Sequence, residues 1–294
     1  MADSIVRTLL QESNLKVSVA VVTEVAREAR RRHRMLPASA SLFAQGAVGA
    51  ALLASLQKGE TRINLQLECD GPFRGFFVDA AANGEIRGYV KNPHLDLELS
   101  SGVFQWRAAL GNTGFLSVLR DVGSEYYRSS VELVAMRFED DLNHYFATSD
   151  QVATRVSITV QREGDEGLGR VAGVLLQALP DSDPEALRRL GGELETRLHD
   201  AVESLEVLDA TALLAALFPG VPPMIETPLK FTCNCSKERA MGTIQGLGVD
   251  EVQDIVDTMG STAVTCQFCG ARHEITLPDL WELLERLGRP QPKH

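Results

Sequence analysis

Two closely spaced thiol pairs near the end of the chain, Cys233-Asn-Cys235 and Cys266-Gln-Phe-Cys269, have a residue type and spacing suited to chemistry. They hold four of the five cysteines; the other is Cys69. Zinc favours four soft thiolates in a tetrahedron, and short chelating loops bring such thiolates together. The pattern therefore predicts one Zn2+ per chain, bound by Cys233, Cys235, Cys266 and Cys269. A closed four-sulfur site has no open coordination position, which argues against catalysis by zinc-bound water. The remaining chemistry belongs to sulfur, because zinc-bound thiolates keep nucleophilic character toward oxidants. Cys266 and Cys269 can close an ordinary Cys-x-x-Cys disulfide. Cys233 and Cys235 would close a tighter ring with poorer disulfide geometry, hence a more oxidising and more easily reversed bridge. Oxidation also expels the metal. Structural zinc is worth on the order of 10–16 kcal/mol in small peptides, against about 5–15 kcal/mol for whole-domain stability. From spacing alone, a permanent zinc knuckle and a redox switch both stand. Lys230, Lys237, Arg239 and Arg272 lie close in sequence and are expected to offset part of the thiolate charge.

The elements that must position these thiols are those of an α+β chain. A C-terminal unit over 229–294 is expected to hold the cysteines. It includes a helix capped by Asp250, carrying Val252, Ile255, Val256 and Met259 and closed by Gly260, and a last helix through Leu280 and Leu287 to Gly288. This unit is too small to rely on its apolar core alone, so the metal should supply much of its folding energy. Before it, 181–228 reads as a helical linker. Asp183 caps a helix with Pro184 in its first turn, and Leu187, Leu190, Leu194, Leu198, Val202 and Leu205 form a narrow apolar seam. Gly191-Gly192 interrupts the seam at about 1 kcal/mol per glycine relative to alanine. A second helix runs from about Ala210 to Phe218. Such a seam needs a partner surface to stay folded.

Residues 1–180 read as a mixed sheet-and-helix domain. Val22 to Leu36 follows helical spacing up to Pro37, and Leu42–Leu56 forms a second helix rich in Ala, Gly and Ser. Strands are expected at Ile63–Cys69, Phe73–Asp79, Glu85–Val90, Val103–Arg107, Phe115–Arg120, Tyr126–Val134, Val152–Val160 and Val171–Leu179, with a short helix at Asp141–Ser149. Asn83-Gly84 marks a hairpin turn. Cys69 shares parity with the buried face and is expected to be an inert core thiol. His33 falls on the apolar face of its helix as a packed histidine. The neighbouring arginines, Arg30 to Arg34, sit off the apolar stripe near the helix C-terminus, where cations are favoured.

Composition narrows the function classes. The formal net charge is −11 and the isoelectric point about 5.1, which argues against a nucleic-acid partner. The start, Met-Ala-Asp-Ser-Ile-Val, lacks the regions of a secretory signal, and the most apolar stretch, Ala47–Leu56, is too short to span a bilayer. The expectation is a cytoplasmic protein with no membrane partner. In that reducing compartment clustered cysteines act as metal ligands or redox sensors. There is no Gly-x-x-x-x-Gly-Lys loop, Gly-x-Ser-x-Gly elbow or His-Glu-x-x-His helix, so no enzyme is expected. Two competing readings are a zinc ribbon binding nucleic acid or a ribosomal partner, which would need a basic face with exposed aromatics, and a thiol oxidoreductase, which would turn over small disulfides.

Phe231-Thr-Cys-Asn-Cys-Ser-Lys-Glu-Arg239 and Val264-Thr-Cys-Gln-Phe-Cys-Gly270 resemble the C-terminal module of the heat shock protein 33 family of redox-regulated bacterial chaperones. Arg31-Arg-His-Arg-Met-Leu-Pro37, Asp70-Gly-Pro72, Arg87-Gly-Tyr-Val90 with Asn92-Pro93, and Asn143-His-Tyr-Phe146 are also similar to that family, so the resemblance covers nearly the whole chain. It implies a holdase without ATP turnover, inactive when reduced and zinc-bound. Oxidation, particularly with heat or by hypochlorous acid, would form Cys233–Cys235 and Cys266–Cys269 disulfides and release zinc. The linker would then unfold and expose apolar surface to unfolding client proteins, with a monomer becoming a homodimer. One departure stands out. Four residues after Cys269, where the family usually has Tyr, this chain has His273, either a packing substitution or a histidine that competes for zinc or alters the oxidation threshold.

Overall fold

The computed structural model describes residues 2–59, 61–97, 105–123, 125–164 and 167–288. The fold is α+β, and the chain divides into two compact units, Met1–Thr232 and Cys233–His294.

In the first unit, β1 (Ser4–Leu10), β2 (Leu15–Val21), β8 (Thr154–Glu163), β9 (Gly167–Ala178) and β10 (Ile225–Pro228) form an antiparallel sheet in the order β10-β1-β2-β9-β8. A second sheet takes β3 (Arg62–Cys69), β4 (Gly75–Ala81), β5 (Glu85–Val90), β6 (Gly114–Asp121), β7 (Tyr126–Glu132) and β11 (Lys230–Phe231) in the order β11-β5-β4-β3-β6-β7, with only β11 parallel to its neighbour. Between β2 and β3 come α1 (Thr23–His33) and α2 (Pro37–Ser55), and α2 packs against strands of both sheets. Every residue of α2 from Ala38 to Ser55 is buried. Its small residues permit that closeness, since a Cβ at Gly46 or Gly49 would lie 2.8 Å from the Phe76 or Phe138 ring. Among the described residues this is the helix long and apolar enough to cross a membrane, longer than the apolar stretch read from sequence, but 94% of its apolar window is buried inside the protein. Its apolar character thus serves the core.

Strand alternation on β3, β4 and β5 places Ile63, Leu65, Leu67, Phe76, Val78 and Ile86 inside, as the period-two pattern predicts. Cys69 is half-buried against this core, and burial pushes its thiol pKa up. His33 is half-buried, while Arg31 and Arg32 pair with Glu28 on the exposed face of α1. The strand expected at Val103–Arg107 is not one where it can be followed. Val103 and Phe104 lie outside the described residues, and Trp106 and Arg107 open the short helix α3 (Trp106–Leu110). The helix α4 (Phe138–Tyr145) starts three residues before the predicted Asp141 and continues as a π-helical turn, Phe146–Asp150. Asp141 does not start the helix. Buried within it, its carboxylate accepts N–H bonds from Val134, Ala135 and Arg137 and so ties down the preceding loop.

The segment 181–228 belongs to this same unit. Asp183 caps α5 (Pro184–Ser204) by accepting the Glu185 N–H at 2.9 Å, and α6 (Ala210–Leu217) follows. The predicted seam is realised: Leu187, Leu194, Leu198 and Val202 are buried and Leu190 and Leu205 partly so. They form one apolar cluster with Val6, Leu15, Val17, Val19, Val174 and Leu176 of the five-stranded sheet. Gly191 does not break α5; it lies against the Arg155 side chain, where a Cβ would come within 2.7 Å of Cγ. Arg170 donates to the Val202 and Leu205 carbonyls at 2.6 and 2.5 Å, closing the C-terminus of α5.

The second unit contains α7 (Lys237–Gln245), α8 (Val249–Thr258), the hairpin β12 (Thr262–Thr265) and β13 (Arg272–Ile275), and α9 (Leu277–Gly288). Its core is small, with Ala240, Met241, Ile244, Val252, Val256, Ile275, Leu280 and Leu283 buried. The N-cap of α8 is Gly248 rather than the expected Asp250, which lies in the first turn, where its charge still complements the helix dipole.

Candidate metal centre

Cys233 and Cys235 lie on the extended chain leading into α7. Ser236 fixes that entry by accepting the Arg239 N–H at 3.3 Å as N-cap. Cys266 and Cys269 lie in the tight turn between β12 and β13. The Cys266 N–H donates to the Ala271 carbonyl at 2.9 Å and the Gly270 N–H to the Cys266 carbonyl at 2.9 Å. Gly270 takes φ 69°, a left-handed value that a side chain would resist, and so allows the turn to fold back on the cysteines.

The two loops converge, and the four sulfurs all lie within 4.8 Å of one another. Cys233 Sγ is 3.8 Å from Cys266 Sγ, and Cys235 Sγ is 3.4 Å from Cys269 Sγ. All four cysteines are free. A tetrahedron of sulfurs about 2.3 Å from a central zinc has edges of about 3.8 Å, so donor set and spacing both fit that ion. Cys269 is buried and the other three are half-buried, a closed rather than a solvent-open cluster.

The electrostatics favour ionisation unevenly. Burial, then the neighbouring thiols, pushes the Cys235 thiol far up, and burial likewise raises Cys269. At Cys266 burial is outweighed by the backbone N–H groups of Cys269 and Phe268, and its pKa falls. Several thiolates so close together require a cation to share their charge. Of the cations expected to help, Lys237 pairs with Asp279 at 2.6 Å, and Lys230 belongs to β11 of the first unit.

Two contributors to the site lie outside the predicted set. Asp279 accepts the Thr276 N–H at 2.7 Å as well as the Lys237 ammonium, and these bonds, Lys237 first, hold its carboxyl at about 2. It therefore ties the start of α9 to the start of α7, immediately after Cys235 and Ser236. Thr276-Leu-Pro-Asp279 carries that capping signal in sequence, but its link to Lys237 is not local. The other is His273, whose Nε2 is 3.3 Å from Cys235 Sγ.

Fold and site together define a two-unit α+β protein with a cluster of four cysteines able to hold a metal ion in the smaller unit. The family model described as Hsp33 protein matches residues 3–276. A 33 kDa chaperonin of Bacillus licheniformis is 33% identical over 293 residues, covering 97% of this chain and 100% of the relative. One of Gloeobacter violaceus is 33% identical over 299 residues, covering 98% and 97%. The crystal structure of a 33 kDa chaperonin (heat shock protein 33 homolog) from Thermotoga maritima superposes with a TM-score of 0.80 at 26% identity, over 97% of this chain and 99% of that one. The chain belongs to the Hsp33 family.

Proposed function

We propose that this protein is a redox-regulated, ATP-independent holdase of the cytoplasm, non-enzymatic, with unfolding proteins as its partners. The observation that carries the reading is the convergence of four free thiols within 4.8 Å in a unit whose own core is small. Cys233, Cys235, Cys266 and Cys269 would hold one Zn2+ in the reduced state, and the bound ion would supply cohesion to the unit and keep the thiolates ionised. In peroxide, each disulfide would form from two thiolates as the O–O bond of one peroxide breaks, the two oxygens leaving as two waters with two protons taken from solvent. Two such steps would leave no thiolate to bind metal.

The proposed pairs are Cys233–Cys235 and Cys266–Cys269. The short sulfur contacts run between the loops, Cys233 to Cys266 and Cys235 to Cys269, so the alternative pairing is a real competitor. Peptide mapping of the oxidised protein distinguishes the two, and inter-loop bridges would overturn the assignment.

Three functional regions are proposed: 1–180 as the chaperone core, 181–228 as a conditionally docked linker, and 229–294 as the redox module. The linker reading is supported by the packing of α5 and α6 over the apolar face of the five-stranded sheet, since undocking would uncover Val6, Val17, Val19, Val174 and Leu176. Oxidised chains are proposed to be homodimers and reduced ones monomers. The test follows zinc release and client light scattering together, before and after warm peroxide or hypochlorous acid. Zinc loss with new suppression of aggregation, both reversed by a thiol reductant, is the expected result. Retention of zinc, or release without suppression, would return the cluster to a purely structural role.

A further inference from the structure

We infer that His273 is a positioning residue of the metal centre, donating its Nε2–H to the Cys235 thiolate and so holding that sulfur as a ligand and slowing its attack on oxidants. The inference rests on the zinc reading above but goes beyond it, because no ligand set includes His273. The hairpin fixes the histidine: on β13 it pairs with Val264 of β12, so its backbone is set by the strands that carry the Cys266–Cys269 turn. Its ring reaches across to the opposite loop, where Nε2 meets Cys235 Sγ at 3.3 Å. The same sulfur lies 3.4 Å from Cys269 Sγ, so Cys235 is held between a thiol and an imidazole of the hairpin.

The chemistry follows from which atom can carry a proton. A metal-bound thiolate has none and can only accept, so the contact is a hydrogen bond only with the proton on Nε2. The four sulfurs already form a complete tetrahedral set, which leaves the imidazole as a neighbour of one ligand rather than a ligand itself. An N–H···S bond withdraws electron density from the sulfur. It stabilises the thiolate as a donor to the metal and reduces its nucleophilicity. Lys237, the cation nearest in sequence to Cys235 on the C-terminal side, is engaged with Asp279 and does not substitute for this donor.

The alternative is that His273 only fills space, and two substitutions separate the readings. His273→Phe keeps an aromatic ring without a donor; His273→Gln places an amide N–H at a comparable reach without the ring. On the full-length, reduced, zinc-loaded protein, competition with a chromophoric chelator gives the zinc affinity, and a fixed dose of peroxide gives the rate of zinc release. For His273→Phe, roughly tenfold weaker retention, the lower end of what outer-shell partners usually contribute, and faster release are expected. His273→Gln should stay close to the parent in both. Parent-like retention and release in His273→Phe, or equal impairment in both variants, would overturn the inference while leaving the zinc reading intact. A parent protein that holds no zinc would sink both.

Discussion

Glu139 lies at the start of α4, a residue only 7% exposed, and its carboxylate accepts the Ile158 N–H at 2.8 Å. Burial raises its pKa from 4.5 to about 7, against the opposing pull of that N–H and of Arg137. A carboxyl raised in the folded state prefers to be neutral there. The stability it lends is fully present below about 4.5 and is lost as pH rises through about 7. The full swing is about 3 kcal/mol. Asp3, raised by burial to about 6, adds to the same slope. Glu139→Gln can still accept from Ile158 and should be more stable than the parent by about 1–3 kcal/mol at pH 8, with little difference at pH 4.5. Denaturant midpoints across that range test this, and parallel pH profiles for the two proteins would refute it. At the metal centre, replacing Cys233 and Cys235 with Ser should abolish zinc retention and redox control. Metal analysis of the purified variant reads this directly.

The element whose stability matters most to the proposed function is α5. Two forces act on it in opposite senses. Leu198 is fully buried between α5 and the five-stranded sheet, and Leu198→Ala should cost about 2–5 kcal/mol. Gly192 faces open space, so Gly192→Ala meets no neighbour and should gain up to about 1 kcal/mol of helix stability. Hydrogen exchange over 184–217 should therefore speed up in the first variant and slow in the second, with α2 serving as an internal reference. If both variants matched the parent, α5 would not be the marginal element. Under the proposed function the activation temperature follows the same order, lowest for Leu198→Ala and highest for Gly192→Ala.

For the whole molecule, the division at Thr232 and Cys233 separates a large core with two sheets from a unit with few buried apolar residues. Under the proposed function, chelation of the bound metal should unfold 233–294 and loosen the 181–228 linker while leaving 1–180 folded. In calorimetry the second unit's transition should disappear and that of the first should persist. Loss of both together would mean that the first unit also depends on the metal.

Signals read from sequence by themselves were the local ones. The two cysteine pairs, the seam from Leu187 to Leu205, the Asp183 cap and the strand Glu85–Val90 each rest on short-range spacing; the structure brings the four cysteines together and keeps the seam, the cap and the strand. What tertiary structure decided is non-local. In β2, Ser18 and Ala20 are buried as well as Leu15, Val17, Val19 and Val21, so it lacks a clean polar face and no single-strand pattern marked it. The short β10 and β11 exist only through the edges of β1 and β5 that they pair with. The expectation at Asp250 failed because the loop from α7 ends at Gly248, a matter of where the preceding helix stops. His273 was visible as an odd residue, but its approach to Cys235 depends on two loops meeting across the metal centre. Local pattern reports which groups are available; only the folded chain decides which of them touch.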